Sequence, residues 1–331
     1  MLKIRKEENL QVDIVGIDEY PVVDLLLNID KLPTTDRSTS ADAKSWQCGG
    51  KVSTALAAAG RLGAKTGIIG IVGADNFGRF CEADFRRHNV NTTHLILEPG
   101  KTTTFSVALS ERSTKGRSFI GVGGSCRRLQ EQDLDKEYIQ NAKYLHLSQI
   151  TPTTLQAARW AKEAGVTVVF DGDEFAAEVA DNLALIDVMI ASEFFFRGMF
   201  PNASPREGCE RLRQTGPKLA VITLGAQGCV GVDDRGFFEQ QAYLQADVID
   251  TTGAGDVFHG AFIYAMLQGM PAKESARFSC AVSSIKCSSL GGRAGIPSRA
   301  VVERFLTDGF IDYTEIDKRV AYYAECHLGN D

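Results

Sequence analysis

The sequence predicts an α/β fold, a three-layer sandwich with a mostly parallel central sheet and a small β-sheet lid. Three observations carry that prediction. Short apolar runs alternate with helix-like segments, the pattern of a parallel sheet covered by helices on both faces. The runs lack a polar alternation, as suits strands buried on both sides. Two segments break the rhythm, and these predict the lid.

Taken in order, residues 12–17 read as the first strand. Residues 52–62 form a small-residue, Ala-rich helix that ends at Gly63. A strand over 66–72 and a helix over 77–88 follow. Residues 144–148 are a strand, 153–164 a helix closed by Gly165, and 166–170 a strand. Residues 188–191 and 219–223 are two more strands. The segment 24–46 has Pro, Thr and Ser but no helix period. Residues 102–121 read as two short strands around a polar turn at 110–117, with Thr103, Phe105, Val107 and Leu109 on one face. The expected division is a core of 1–24, 47–101 and 122–331 and a discontinuous lid of 25–46 and 102–121. Residues 307–331 predict a C-terminal helical extension, with Ile316, Val320, Tyr323 and Ala324 as its apolar stripe.

Composition narrows the class. At roughly 150 residues per domain, 331 residues make two domains or one large domain with an insertion. Apolar residues at 44% and charged residues at 24% are ordinary for a globular chain. A net charge of −6 without a basic run argues against nucleic-acid binding, which rests on Lys and Arg at phosphates. The charged start, residues 1–9, has no apolar stretch of a secretory signal. No run approaches the ~20 apolar residues of a membrane helix. None of the eight Cys forms a C-x-x-C pair. They read as reduced thiols, and the expected location is cytoplasmic.

The most informative stretch is Asp250-Thr251-Thr252-Gly253-Ala254-Gly255-Asp256. A strand at 248–249 is expected to lead into this turn, and an apolar helix to run on to about Gly269. Gly253 and Gly255 let the backbone approach a ligand closely. A helix start offers unpaired N–H groups and partial positive charge, so it suits the charge that develops on a transferring phosphoryl group. Asp256 beside it is placed to take the proton of an attacking hydroxyl.

This segment resembles the second signature of the PfkB (ribokinase-like) carbohydrate kinases. The first is matched by Gly49-Gly50-Lys51-Val52-Ser53-Thr54-Ala55 through Gly63-Ala64, continuing into Gly70-Ile71-Val72-Gly73-Ala74-Asp75. The resemblance covers about residues 12–306. It implies a ribokinase-like fold, ATP as phosphoryl donor with Mg2+, and Asp256 as catalytic base. It also implies an anion hole at Gly253, Ala254 and Gly255. Asp250 and Thr252 match positions that hold a monovalent cation in some members, so K+ is a further candidate. Thr223-Leu224-Gly225-Ala226-Gln227-Gly228 is similar to the loop at the ATP phosphates, and Thr252 and Gly292 fall beside the nucleotide. One departure concerns magnesium. Where many members carry N-x-x-E, this chain has Ser192-Glu193-Phe194-Phe195, which leaves Glu193 as the candidate for contact through water.

For the acceptor, the resemblance assigns Asp24, Asp36, Gly49, Gly50, Lys51, Thr54 and Gln149. Asp24, Asp36 and the Gly pair have the spacing seen in ketohexokinase, while Lys51 matches ribokinase. The run Phe170-Asp171-Gly172-Asp173, Lys286-Cys287 and residues 291–297 look most like sulfofructose kinase. Gln149 is neutral where ribokinase has Glu and sulfofructose kinase has Arg, which points to a neutral sugar. His259, one turn after Asp256, reads as a packed or solvent histidine.

The expected function is transfer of the ATP γ-phosphoryl group to a hydroxyl of a ketohexose or ribose. A lid with an apolar outer face predicts a homodimer. Two alternatives stay open: a nucleoside kinase of the same family, with Trp46 and Phe105 as base-binding walls, and a non-catalytic sugar-binding regulator. A dinucleotide-binding enzyme is excluded, because no G-x-G-x-x-G follows the first strand.

Overall fold

The computed structural model describes residues 11–326 and Leu328. The charged start at 1–9 and the last residues of the expected extension lie outside the described residues. In chain order the strands are β1 (Ile14–Asp18), β2 (Val23–Ile29), β3 (Ala41–Cys48), β4 (Thr66–Gly73), β5 (Val90–Glu98), β6 (Phe105–Glu111) and β7 (Arg117–Val122). There follow β8 (Tyr144–Leu147), β9 (Thr167–Gly172), β10 (Val188–Ser192), β11 (Leu219–Thr223), β12 (Cys229–Asp233) and β13 (Gly236–Gln240). The main sheet runs β13-β12-β11-β10-β9-β8-β1-β4-β5, and a second sheet runs β3-β2-β6-β7. The main sheet is parallel from β11 to β5, with β12 and β13 added antiparallel.

Burial on both faces explains the unbroken apolar runs. Ile14 of β1 packs in one core and Val15 in the other; Ile68 and Ile69 of β4 divide the same way. On one face the helices Lys51–Leu62 and Ala254–Leu267 cross closely. A Cβ on Gly260 would stand 2.1 Å from the Ala55 carbonyl oxygen, so only glycine permits the approach.

From β1 the chain builds outward through β4 and β5, then returns to add β8 on the other side of β1. The strand order therefore reverses between β1 and β8. Ligands bind at the carboxyl ends of strands at such a reversal. Asp18, Ser148 and Gln149 lie there.

The small sheet turns a largely polar face inward. Ser106, Ala108 and Ser110 of β6 are buried, as are Leu26 and Asn28 of β2 and Ser45 and Gln47 of β3. Phe105, Val107 and Leu109 share the opposite face and are only half-buried, with Ile120 and Val122 of β7 exposed beside them. Thr103 precedes the strand and hydrogen-bonds Asp75 instead. The inner face docks on the core through polar contacts. Gln47 donates to Leu290 O (2.8 Å) and accepts from the N–H groups of Arg293 (2.7 Å) and Ala294 (3.1 Å). The β6–β7 hairpin reaches the loop before the helix Ala254–Leu267. Ser110 Oγ donates to Asp250 (3.1 Å), Lys115 to Val248 O (3.1 Å) and Arg117 to Thr251 Oγ1 (3.1 Å).

Residues 248–249 are not a strand. The amides of Ile249 and Asp250 bond to Cys287 O, just past the helix Ala272–Lys286, rather than to a sheet neighbour. The expected C-terminal extension contains the helix Thr314–Glu325, with Ile316 and Tyr323 buried and Val320 partly so. Tyr323 OH donates to Asp84, and Arg319 Nε to Ala294 O at 3.1 Å. Among the described residues no helix is long and apolar enough to cross a membrane.

Candidate active site

Asp256 lies in the first turn of the helix Ala254–Leu267. Gly253 caps that helix at φ +72°, and a Cβ there would come within 2.7 Å of Gly292 Cα. Conformation and space both require glycine. The first-turn amides, including those of Gly255 and Asp256, have no intrahelical acceptor and present the positive end of the helix. Burial, together with the charge of nearby Asp171, pushes the Asp256 carboxyl well above the usual carboxylate range, against the pull of Lys51.

Asp171, at the end of β9, is 5% exposed. Burial pushes its carboxyl up as well. Its Oδ1 lies 3.4 Å from Nε2 of His259, and that ring stacks on His146 with centroids 5.7 Å apart. Burial holds both imidazoles neutral at pH 7, with pKa values of about 3. His259 is thus a packed residue that also backs the carboxylate pair. Lys51 opens the helix Lys51–Leu62, and its Nζ meets Asp173 at 2.7 Å. Burial works against this ammonium, but the Asp173 hydrogen bond and the charges of Asp171 and Asp256 outweigh it and raise its pKa.

The Gly49-Gly50 turn lies against two carboxylates. A Cβ on Gly49 would strike Asp24 Oδ2 at 2.0 Å, and one on Gly50 (φ +93°) would strike Asp18 Oδ2 at 2.5 Å. Asp24 accepts from Ser106 Oγ at 2.5 Å, and Asp18 from Ser53 N (3.1 Å) and Ser53 Oγ (2.7 Å). Burial raises both carboxyl pKa values against these bonds. Asp18 was missed in the sequence, although its place at the end of the first parallel strand was the available signal. A cleft of about 550 Å³ runs from Lys51, Asp171 and Asp173 to Ser148, Gln149 and Thr151, with Glu174 and Glu178 at its rim.

The other expected residues divide. Thr54 is buried beside Gly292, which in turn packs on Gly253. Ser192 and Thr223 are paired at the ends of β10 and β11, on the same sheet edge as Asp171. Gly225 and Gly228 bound the turn after β11. Glu193 turns outward to Arg197 (3.4 Å), Ser192 Oγ is engaged by Asp173 O and the Phe195 amide, and Phe195 is fully buried. Glu193 is the carboxylate of this segment, half-exposed and paired with Arg197 at the surface. Asp36 occupies an exposed turn between β2 and β3, away from the buried carboxylates Asp18 and Asp24, and among the described residues no hydrogen bond or ion pair joins it to them.

A helix terminus with free first-turn amides, a carboxylate in that turn and a polar cleft lined by Asp171 suit a phosphotransferase that acts on a hydroxyl group. The chain belongs to the pfkB family carbohydrate kinases, whose family model matches residues 11–299. It is 26% identical over 294 residues to the ATP-dependent ribose-1-phosphate kinase of Halopiger xanaduensis, covering 87% of this chain and 96% of the relative. It is 29% identical over 267 residues to ribokinase of Haemophilus influenzae, covering 78% and 87%. Arabidopsis thaliana ribokinase, solved with ribose and ATP, superposes with a TM-score of 0.75 at 24% identity, over 90% of this chain and 99% of that one. The protein is a sugar kinase with the ribokinase-like α/β fold.

Proposed function

We propose that this kinase transfers the γ-phosphoryl group of ATP to a hydroxyl of a small neutral sugar, a ketohexose or ribose. The observation that carries the reading is Asp256 in the first turn of its helix, its carboxyl pushed up by burial and by the charge of Asp171, which lines the cleft. Asp256 takes the hydroxyl proton as the oxygen attacks the phosphoryl group in line. The amides of Gly255 and Asp256 at the helix start hold the developing charge. Asp24, Asp18, the Gly49-Gly50 turn and Lys51 position the sugar, which supplies the proximity contribution. Thr223, Gly225, Gly228, Thr252 and Gly292 border the nucleotide. Magnesium accompanies ATP and neutralises its phosphates. The lid, residues 25–46 and 102–121, excludes water from the closed site.

Charge favours a neutral acceptor. The cleft holds Asp171, Asp173, Glu174 and Glu178 against a single cation, Lys51, already paired with Asp173. A phosphate or sulfonate on the sugar would meet net repulsion there. The aromatic walls of a nucleoside pocket are occupied otherwise. Trp46 and Phe105 pack on Phe77, at 6.0 and 5.4 Å between centroids, on the lid face opposite Asp24. ADP release with Mg–ATP should therefore be fastest with fructose, psicose, tagatose or ribose. It should be slow with fructose phosphates, sulfofructose, adenosine and inosine. Preferred turnover of a phosphorylated sugar or a nucleoside would overturn the assignment.

The charge of Asp171 helps to keep Asp256 protonated. Removing it in Asp171→Asn lowers the pKa of the base, so Asp256 stays ionised to lower pH. The acidic limb of kcat/KM is expected to move toward lower pH. An unchanged limb would separate the two carboxylates.

A second copy of the chain covers the outer lid face, where Leu25, Leu27, Val107, Leu109, Ile120 and Val122 share one side of the sheet. Light scattering should give twice the 36.0 kDa chain mass. A single-chain mass at micromolar concentration would remove the dimer.

A further inference from the structure

An ammonium group lies behind the anion-receiving turn. Lys286, the last residue of the helix Ala272–Lys286, is wholly buried. Its Nζ donates to the carbonyl oxygens of Asp250 (3.0 Å) and Thr252. The Asp250 side chain, 2% exposed, accepts from Thr252 N (3.0 Å), Thr252 Oγ1 (2.9 Å), Ser110 Oγ (3.1 Å) and Gly291 N (2.7 Å). Burial would raise this carboxyl; the Lys286 charge and these hydrogen bonds outweigh it and hold its pKa down.

Main-chain carbonyls converging beside a buried carboxylate are the ligand set of a hard monovalent cation. An ammonium has the same charge and satisfies the same lone pairs. Here it is tethered, so no diffusible ion has to be bound and dehydrated. The residues at 250 and 252 consequently do not fit K+, because both carbonyls already have their cation. We propose that Lys286 is a built-in replacement for a monovalent ion, which fixes the turn before Gly253 and frees this kinase from any monovalent-cation requirement. Lys286 is then a positioning residue. It touches neither sugar nor phosphate, but holds the peptide units that lead into the first-turn amides.

The deciding measurement needs no knowledge of the acceptor. The full chain is melted at constant ionic strength in KCl, NaCl and tetramethylammonium chloride. The wild type is expected to melt alike in all three. Lys286→Ala is expected to melt lower in tetramethylammonium and to recover in K+ as the ion enters the vacated space. Lys286→Met fills that space with apolar atoms and should gain nothing from K+. With an accepted sugar, wild-type turnover should be indifferent to the salt. Lys286→Ala turnover should fall by about ten- to a hundredfold in tetramethylammonium, less than loss of a direct oxyanion donor, and rise again in K+. K+ stabilisation or several-fold K+ activation of the wild type would overturn the proposal. Full activity of Lys286→Ala in tetramethylammonium would overturn it equally.

Discussion

Asp256→Asn is expected to lower kcat by about 10²–10⁴-fold, the range for loss of a general base. The amide keeps the shape of the side chain and the helix start, so ATP affinity should hold within a fewfold. Stability separates this result from a folding defect. The carboxyl pKa is raised in the fold, first by burial and then by Asp171. Such a group contributes stability in full below its unfolded pKa and loses it as pH rises through the folded value. Ionising Asp256 as pH rises therefore costs native-state stability, and asparagine carries no such cost. The variant should melt at or above the wild-type temperature at pH 7 to 8, with the difference narrowing in acid. Wild-type turnover in Asp256→Asn would remove the base assignment.

The second large effect is structural. Arg293 is fully buried; it pairs with Asp84 at 2.6 Å and donates to Gly49 O at 3.2 Å. Its guanidinium also lies 4.9 Å from the centre of the Phe85 ring. Arg293→Met strands the Asp84 carboxylate without its cation. Breaking one side of a buried pair costs about 3–5 kcal/mol, which urea unfolding at pH 7 should register. Asp84→Leu in the same chain removes the stranded charge and should restore part of the loss. The acceptor KM should rise in both, because Gly49 O loses its donor. A loss below about 1 kcal/mol for Arg293→Met would mean that the pair is not maintained in solution.

These two residues also mark what the sequence makes legible. Asp256 follows a glycine-rich turn at a helix start, a local pattern whose resemblance to the second PfkB signature marks it as the base. Arg293 and Asp84 are separated by 209 positions, and no local pattern joins them. Lys286 looks like an ordinary helix end until the loop at 250–252 is folded over it. The parallel strands were legible because burial on both faces leaves unbroken apolar runs. β5 was not, since Asn91, Thr92, Thr93 and His94 interrupt its run. The lid strands β2 and β3 were hidden for a related reason: their buried face mixes the polar Asn28, Ser45 and Gln47 with Leu26, so no clean apolar run marks them.

The C-terminal helix carries a consequence for the order of assembly during synthesis. Thr314–Glu325 is translated after every other helix and strand described. Yet its Tyr323 completes the shell around Asp84, and its Arg319 ties down Ala294 and Ile296, next to the residue that bonds Gly49. A nascent chain lacking this helix can form the parallel sheet from its own buried strands. It leaves the Asp84–Arg293 pair open to water and the Gly49-Gly50 turn without a fixed support. A chain cut before Thr314 should therefore keep its folded sheet while the turn at Gly49-Gly50 loses its support.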